Sequence, residues 1–173
     1  MRIIANILCY GLIIYGSSMV GFSIARNYAE RPRQLHTLLT CVQILLTEIV
    51  YAATPLSEAL RNLSRSSDKI VGEFFAQVAQ EIDNLKPARI AWEQGLEQLQ
   101  SASALLAPDI EALRALGDVI GTSDREDQQR HLLLASRRIE ALHQSAVNEA
   151  AKNERLWRYL GVLAGIVIVI IIF

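Results

Sequence analysis

The sequence predicts an all-α protein: a compact bundle of about six helices, flanked by an N-terminal and a C-terminal transmembrane helix. Three observations predict this fold. Both ends of the chain are apolar, the region between them repeats apolar residues at helical rather than strand spacing, and helix-start and helix-stop signals divide that region. The hydrophobic fraction of 51% is also high for a soluble domain.

The first apolar run covers residues 3–25, about 23 residues without a charge, which suits a bilayer core of about 30 Å. A cleaved signal peptide is the alternative, but no small-residue cleavage site follows cleanly, so a retained anchor is favoured. Ser17 and Gly21 are four residues apart and form a candidate face for membrane-helix packing.

The last apolar run, residues 160–173, is shorter and covers about 21 Å as a helix. Trp157 and Tyr159 precede it, in the position typical of interfacial aromatic residues. Gly161 and Gly165 form a GxxxG pattern. These glycines either pack against the first helix or are simply tolerated in lipid, and the sequence leaves both interpretations open.

These limits divide the chain into an N-terminal transmembrane helix at 1–26, a helical bundle domain at 27–155 and a C-terminal transmembrane helix at 156–173. Basic residues flank both spans on the side of the central domain, so the positive-inside rule predicts a cytoplasmic domain with both termini outside. These basic residues are Arg26, Arg31, Arg33, Lys152, Arg155 and Arg158.

The first helix of the domain is predicted to begin near Pro32, because an apolar stripe from Leu35 to Ile49 follows. A short second helix should have Thr54 as its N-cap and Pro55 as its first residue. The polar run at 64–68 then ends this helix and caps a third one.

The third helix should end before Pro87, and the fourth should bury Trp92 as a core anchor. Pro108 opens a fifth helix, with Gly121 as its C-terminal stop. Asp124 should cap a last helix that runs without interruption into the C-terminal apolar segment.

The sequence offers no signature of catalysis, and we expect no enzyme, cofactor or metal. Nucleotide-binding and nucleophile-elbow motifs do not occur. The formal net charge of −1 gives no basic patch for nucleic acid. The two cysteines, Cys9 and Cys41, are interpreted as small apolar side chains rather than a disulfide or a zinc site.

Titratable residues have ordinary interpretations as well. His36, His131 and His143 are expected to be solvated or hydrogen-bonded, since the last two lie about 120° apart around a helix. An acidic cluster at 124–127 suggests a cation or catalytic site, but helix capping and dipole compensation explain it more simply.

Several local combinations of residues resemble the stage III sporulation protein AB family of endospore-forming bacteria. The resemblance extends nearly from end to end, and Leu116, where the family pattern has an aromatic residue, is a small departure. The matching stretches are Glu30-Arg31-Pro32-Arg33-Gln34, Glu48-Ile49-Val50-Tyr51, Thr54-Pro55-Leu56, Ala91-Trp92-Glu93, Leu116-Gly117-Asp118-Val119-Ile120-Gly121, Asp124-Arg125 with Gln128 and His131, Asn153-Glu154, and Leu160-Gly161-Val162-Leu163-Ala164-Gly165.

The resemblance implies a component of the channel that links mother cell and forespore during engulfment, located in the mother-cell membrane. Proteins of this family resemble one cytosolic helical domain of the F-type platform protein of type II secretion. The implied partners are the cytoplasmic AA-type ATPase of the same apparatus, other membrane components of the channel and membrane lipid. F-type platforms carry two such domains and this chain has one, so self-association is also predicted.

The family signature is dense in two places, which provide candidate partner contacts. Arg31 and Arg33 either contact a partner or only flank the membrane span. Arg125, Gln128 and His131 recur every three residues along one helical ridge and either contact a partner or hydrogen-bond within the bundle.

Two other functions compete with the platform. A sensory receptor module also has two spans around a helical domain, but it would need that domain outside the cell and a signalling partner. A membrane-bound hydrolase using the 124–127 cluster would need a cavity that holds an acid of raised pKa.

Overall fold

The computed structural model describes residues 2–120 and 125–172, and side chains within 11–13, 15–120 and 126–171. These residues form helices and no strand, as predicted. The elements are α1 (Arg2–Leu46), a π-helical turn (Thr47–Tyr51), α2 (Leu56–Ser66), α3 (Lys69–Asp83), α4 (Ala88–Ala102), α5 (Ala107–Gly117) and α6 (Arg125–Ile172).

The chain forms two compact units. Unit 1 comprises Met1–Glu30 and Ala146–Phe173, and unit 2 comprises Arg31–Ser145. α1 and α6 contribute residues to both units, whereas α2 to α5 lie in unit 2 alone. The structural division therefore falls within two helices, some residues away from the predicted limits of the membrane segments.

Pro32 does not begin a helix, which corrects the prediction. α1 runs through it from Arg2 to Leu46. A proline inside a helix removes one backbone hydrogen bond and costs about 3 kcal/mol. Buried side chains on both sides of Pro32 contact the rest of unit 2: Arg31 pairs with Asp109, and Gln34 accepts from the Ala104 N–H.

The core of unit 2 is centred on Trp92 of α4, which is 1% exposed. Its ring meets Phe74 of α3 edge to face at a centroid distance of 5.1 Å, and its indole N–H donates to the Leu113 carbonyl of α5 at 2.9 Å. The predicted core anchor thus connects three helices. Because the hydrogen bond fixes the ring, Gly117 must lack a side chain: a Cβ there would lie 2.2 Å from Trp92 Cδ1.

The helix ends follow local signals, with one correction. Asp68 caps α3 by accepting from the Val71 N–H at 3.0 Å, as the polar run predicts. Thr54 does not cap α2: the helix begins one residue late, with Pro55 as its N-cap. The Thr54 hydroxyl donates instead to Glu48 Oε2 at 2.6 Å, so it closes the π-helical turn.

α3 ends in a Schellman motif without glycine. The Leu85 N–H donates to the Ile82 carbonyl, and the Lys86 N–H donates to the Glu81 carbonyl. Leu85 has a φ of 64°, in the left-handed region that favours glycine, and its side chain is 93% exposed.

α5 ends at Gly117, and the predicted stop at Gly121 and cap at Asp124 lie outside the described residues. α6 is one uninterrupted helix of 48 residues, in agreement with the predicted continuous last helix.

Within the described residues, one helical stretch, Gly11–Tyr51, is long and apolar enough to cross a membrane by length and composition. Signal sequences and long core helices share this length and composition, so the stretch is weak support for membrane association. No other stretch of the described residues has this length and composition, so the second predicted span, 156–173, stays a prediction.

Candidate functional site

A buried ion pair joins α1 to the start of α5 inside unit 2. Arg31 Nε donates to Asp109 Oδ2 at 2.8 Å and Nη2 donates to Oδ1 at 3.0 Å, which is the bidentate geometry typical of strong arginine–carboxylate pairs. Arg31 is 7% and Asp109 1% exposed. Removing one partner of such a pair typically costs about 3–5 kcal/mol, because the other charge stays buried.

The same carboxylate also begins α5. Asp109 Oδ2 accepts from the Leu106 backbone N–H at 2.8 Å. One turn further along α1, Gln34 Oε1 accepts from the Ala104 N–H at 2.9 Å. Two polar side chains of α1 therefore fix the α4–α5 connection from both of its ends.

A second cluster joins α1 to the α2–α3 turn. The Thr37 hydroxyl donates to Asp68 Oδ2 at 3.2 Å, and Cys41 Sγ lies 3.0 Å from Ser67 Oγ. Burial raises the pKa of the Cys41 thiol, the Ser67 hydrogen bond lowers it, and the charge on Asp68 raises it. This cysteine is thus a buried and weakly acidic thiol, in agreement with its interpretation as a small apolar side chain.

An ionic surface covers α4 and α5 on the outside of unit 2. Arg114 Nε lies 2.9 Å from Glu93 Oε1, and its Nη1 lies 2.7 Å from Glu111 Oε2. Arg89 Nε pairs with Asp118 Oδ1 at 2.8 Å. A groove of about 400 Å³ runs between these pairs, with the Trp92 ring and Gly117 at its floor. Such exposed pairs contribute little to stability.

The structure brings together two of the predicted histidines in an unpredicted pair. The rings of His36 on α1 and His143 on α6 have centroids 5.5 Å apart. Their separation of more than 100 positions in the chain gives the sequence no signal for this contact.

The predicted partner-contact residues are not all equally accessible. Arg31 is buried in its ion pair, so a partner would first have to break that pair, whereas Arg33 is exposed. Gln128 and His131 are half-buried on α6, and the side chain of Arg125 lies outside the described residues. The accessible members of the predicted set are therefore Arg33, Gln128 and His131, and their contacts with a partner stay a prediction.

Two of the predicted packing residues of unit 1, Gly21 and Gly161, lie in backbone-to-backbone contact. A Cβ on Gly21 would lie 2.7 Å from Gly161 Cα, and a Cβ on Gly161 would lie 3.1 Å from the Ser17 carbonyl oxygen. Gly165 is buried one turn further along α6. Only glycine allows α1 and α6 to approach this closely.

Sequence reasoning missed Asp109 and Gln34, although a signal existed for both. Arg31 and Gln34 are spaced from Leu35 and Leu38 so that all four lie on the apolar face of α1. Polar side chains on a buried face need buried partners. Asp109 follows Pro108 in the first turn of α5, where a carboxylate accepts backbone N–H groups.

These features define a class of protein: a helical bundle held together by α1 contacts and attached to an apolar, glycine-packed helix pair. The comparisons identify the family. The family model for stage III sporulation protein AB matches residues 6–173. Stage III sporulation protein AB of Bacillus subtilis (strain 168) is 33% identical over 161 residues, covering 92% of this chain and 94% of that protein.

A solved structure of stage III sporulation protein AB is also similar, with a TM-score of 0.67 and 32% identity. It covers 70% of this chain and 96% of the solved one. The chain belongs to the stage III sporulation protein AB family.

Proposed function

We propose that this protein is a structural membrane subunit of the channel complex between mother cell and forespore, and that it acts by binding proteins rather than by catalysis. The observation that carries the proposal is family membership across nearly the whole chain. The proposed location is the mother-cell membrane facing the forespore, with unit 1 in the bilayer and the helical domain in the cytoplasm.

The two units have surfaces that support this placement. Unit 1 exposes large apolar side chains, including Met19, Phe22, Leu163, Ile166 and Ile170. Exposing so many is unfavourable in water and favourable in a bilayer. Both α1 and the end of α6 would cross the membrane in this proposal.

Two features of unit 2 support the proposed platform role. Its internal contacts tie α1 to two separate turns of the bundle, and its outer surface carries the α4–α5 ion pairs. A rigid body with a charged surface suits docking of a cytoplasmic motor, here the AA-type ATPase of the same apparatus. We propose that Arg33, Gln128 and His131 take part in that docking.

The proposal is tested by pull-down of the ATPase with the full chain in mild detergent. Arg33→Glu and Gln128→Arg change two of the three accessible candidates. Arg65→Glu and Gln80→Arg make the same changes at exposed positions elsewhere in unit 2. We expect the first pair to weaken capture and the second pair to leave it unchanged.

Equal capture by all four variants would remove these residues from the interface while keeping the motor contact. Failure of the folded wild-type chain to capture the ATPase would contradict a direct motor contact. Circular dichroism of each variant establishes that the helical content is retained.

A further inference from the structure

A groove of about 360 Å³ lies in unit 1 between α1 and α6. Phe22 of α1 lines one side, and Arg155, Arg158, Tyr159 and Val162 of α6 line the other. Two guanidinium groups, a phenol and two apolar side chains thus converge on one space.

The polar and apolar parts of the groove are ordered along α6. Arg155, Arg158 and Val162 follow one another at intervals of three and four residues, so they share one face of the helix. The cationic end of this face comes first and the apolar end second. Beyond Val162 the exposed side chains Ile166 and Ile170 continue the apolar direction.

The charge of the groove favours an anion. Its described lining contains two arginines and no carboxylate. Glu154 lies alongside and accepts from Arg158 Nη2 at 2.6 Å, so it offsets one of the two positive charges. Guanidinium groups bind phosphate through paired hydrogen bonds, and Tyr159 is 70% exposed and able to donate another.

The apolar end distinguishes a lipid from a soluble phosphate. Phe22 is 51% exposed and faces the groove opposite Val162. A free phosphate ion has no group that would use this apolar surface. A phospholipid has acyl chains that would lie along it, in the same order from charge to hydrocarbon as the groove itself.

We propose that this groove binds an anionic phospholipid, with the phosphate on Arg155 and Arg158 and the start of an acyl chain against Phe22 and Val162. The proposal rests on the proposed membrane position of unit 1. It adds a defined headgroup site, so the protein prefers a negatively charged lipid at this point of the bilayer surface.

The test is native mass spectrometry of the full chain released from detergent micelles. The probes are phosphatidylglycerol, phosphatidylcholine and glycerol phosphate, each titrated separately. Arg155→Gln with Arg158→Gln removes both cations, and Arg137→Gln with Arg138→Gln is the matched control on exposed arginines of the same helix. Co-flotation with vesicles measures membrane association separately.

We expect wild type and control to retain phosphatidylglycerol over phosphatidylcholine, and the groove variant to lose about tenfold in phosphatidylglycerol affinity. Phe22→Ala should weaken lipid binding and leave glycerol phosphate binding unchanged. Equal phosphatidylglycerol binding by the groove variant and wild type would overturn the proposal, as would glycerol phosphate binding as tightly as the lipid.

Co-flotation distinguishes a failure of the groove proposal from a failure of the proposed membrane position of unit 1. A wild type that floats with vesicles but shows no arginine-dependent lipid preference contradicts the groove proposal alone. A wild type that does not float contradicts both proposals. Capture of a protein in place of the lipid by the same two arginines would also overturn the lipid assignment.

Discussion

The two units of this protein hold their helices together by different means. Unit 2 buries large side chains around Trp92 and includes one charged pair, Arg31 with Asp109, in its interior. Unit 1 brings two backbones into contact at Gly21 and Gly161 and leaves its large apolar side chains exposed.

This difference matches what two solvents require. In water, burial of large apolar side chains is the main favourable term, so a domain gains most by enclosing them. In lipid, side chains gain little by leaving the solvent, so close backbone packing through small residues holds helices together. This difference agrees with the proposed positions, in which unit 1 lies in the bilayer and unit 2 in water.

The largest expected effect comes from the buried ion pair of unit 2. Arg31→Met leaves the Asp109 carboxylate buried without its guanidinium partner and should lower the free energy of unfolding by about 3–5 kcal/mol. Arg33→Met, at an exposed arginine two positions on, should change it by less than about 0.5 kcal/mol. Urea unfolding in mild detergent, followed by Trp92 fluorescence in a Trp157→Phe background, measures both.

A double variant makes this prediction sharper. Arg31→Met with Asp109→Leu removes both charges and should recover part of the loss. If Arg31→Met and Arg33→Met proved equally mild, the pair would not stabilise the bundle as the geometry indicates.

The next effect tests the fixed Trp92 ring. In a helix, Gly→Ala normally stabilises by about 1 kcal/mol. At Gly117 the new Cβ would lie 2.2 Å from a ring held by its hydrogen bond to Leu113, so Gly117→Ala should destabilise by about 1–3 kcal/mol. Thermal unfolding in the Trp157→Phe background shows whether Gly117→Ala raises or lowers the stability. A more stable variant would contradict the close contact between position 117 and the Trp92 ring.

The corresponding change in unit 1 is Gly21→Ala. Its Cβ would lie 2.7 Å from Gly161 Cα and 2.8 Å from the Trp157 carbonyl, so the helices must move apart at a cost near the lower end of about 1–3 kcal/mol. Gly16→Ala, which has no atom within 4 Å of its Cβ among the described contacts, is the control. The fluorescence emission of Trp157 should shift in Gly21→Ala and not in Gly16→Ala. The same spectrum in both variants would contradict the contact between Gly21 and Gly161.

A smaller effect is expected at Leu85. Its left-handed backbone is strained for leucine, so Leu85→Gly should stabilise unit 2 by about 0.5–1 kcal/mol. Leu106→Gly, at another exposed leucine with a φ of −96°, should not stabilise. The denaturant midpoints of Leu85→Gly and Leu106→Gly measure the two changes in stability. A loss of stability in Leu85→Gly would contradict the backbone strain and would show that the exposed side chain has a role in folding.

The smallest effect is a pH dependence from Cys41. Burial raises the pKa of its thiol above the ordinary 9.0, so the folded state holds the proton more tightly than the unfolded state. The stability from this difference is complete below pH 9.0 and declines as the pH rises through the folded pKa. In a Cys9→Ser background, the free energy of unfolding should fall more between pH 8 and pH 10 in the protein that keeps Cys41 than in Cys41→Ser. Equal decreases in the two proteins would contradict this prediction.

The sequence predicts the parts of this fold that depend on local signals. Asp68 is predictable as a helix cap because it is a polar residue directly before an apolar helical stripe. Trp92 is a core anchor because of its position on such a stripe. The predictions for Thr54 and Pro32 are wrong for different reasons. The Thr54 hydroxyl bonds to Glu48 within the π-helical turn instead of capping α2, and the residues on both sides of Pro32 have buried partners in unit 2 while α1 stays helical.

The pairing of distant residues was not predictable. Arg31 and Asp109 are 78 positions apart, and Arg31 is predicted either as a basic flank of an apolar run or as a partner contact. Its place on the stripe of Leu35 and Leu38 indicates burial, but only the fold shows which carboxylate meets it. The candidate groove of unit 1 likewise depends on Phe22 and Val162 facing each other across two helices.

The proposed difference between the two units is tested most directly by measuring which solvent, water or lipid, surrounds each one. Single spin labels at Val20 and Val167 in unit 1, and at Ala76 and Leu85 in unit 2, all occupy exposed positions. In vesicles, relaxation by oxygen reports lipid and relaxation by a water-soluble nickel chelate reports water. We expect oxygen-dominated relaxation at the unit 1 sites and nickel-dominated relaxation at the unit 2 sites. Nickel access at Val20 and Val167 equal to that at Ala76 would contradict it.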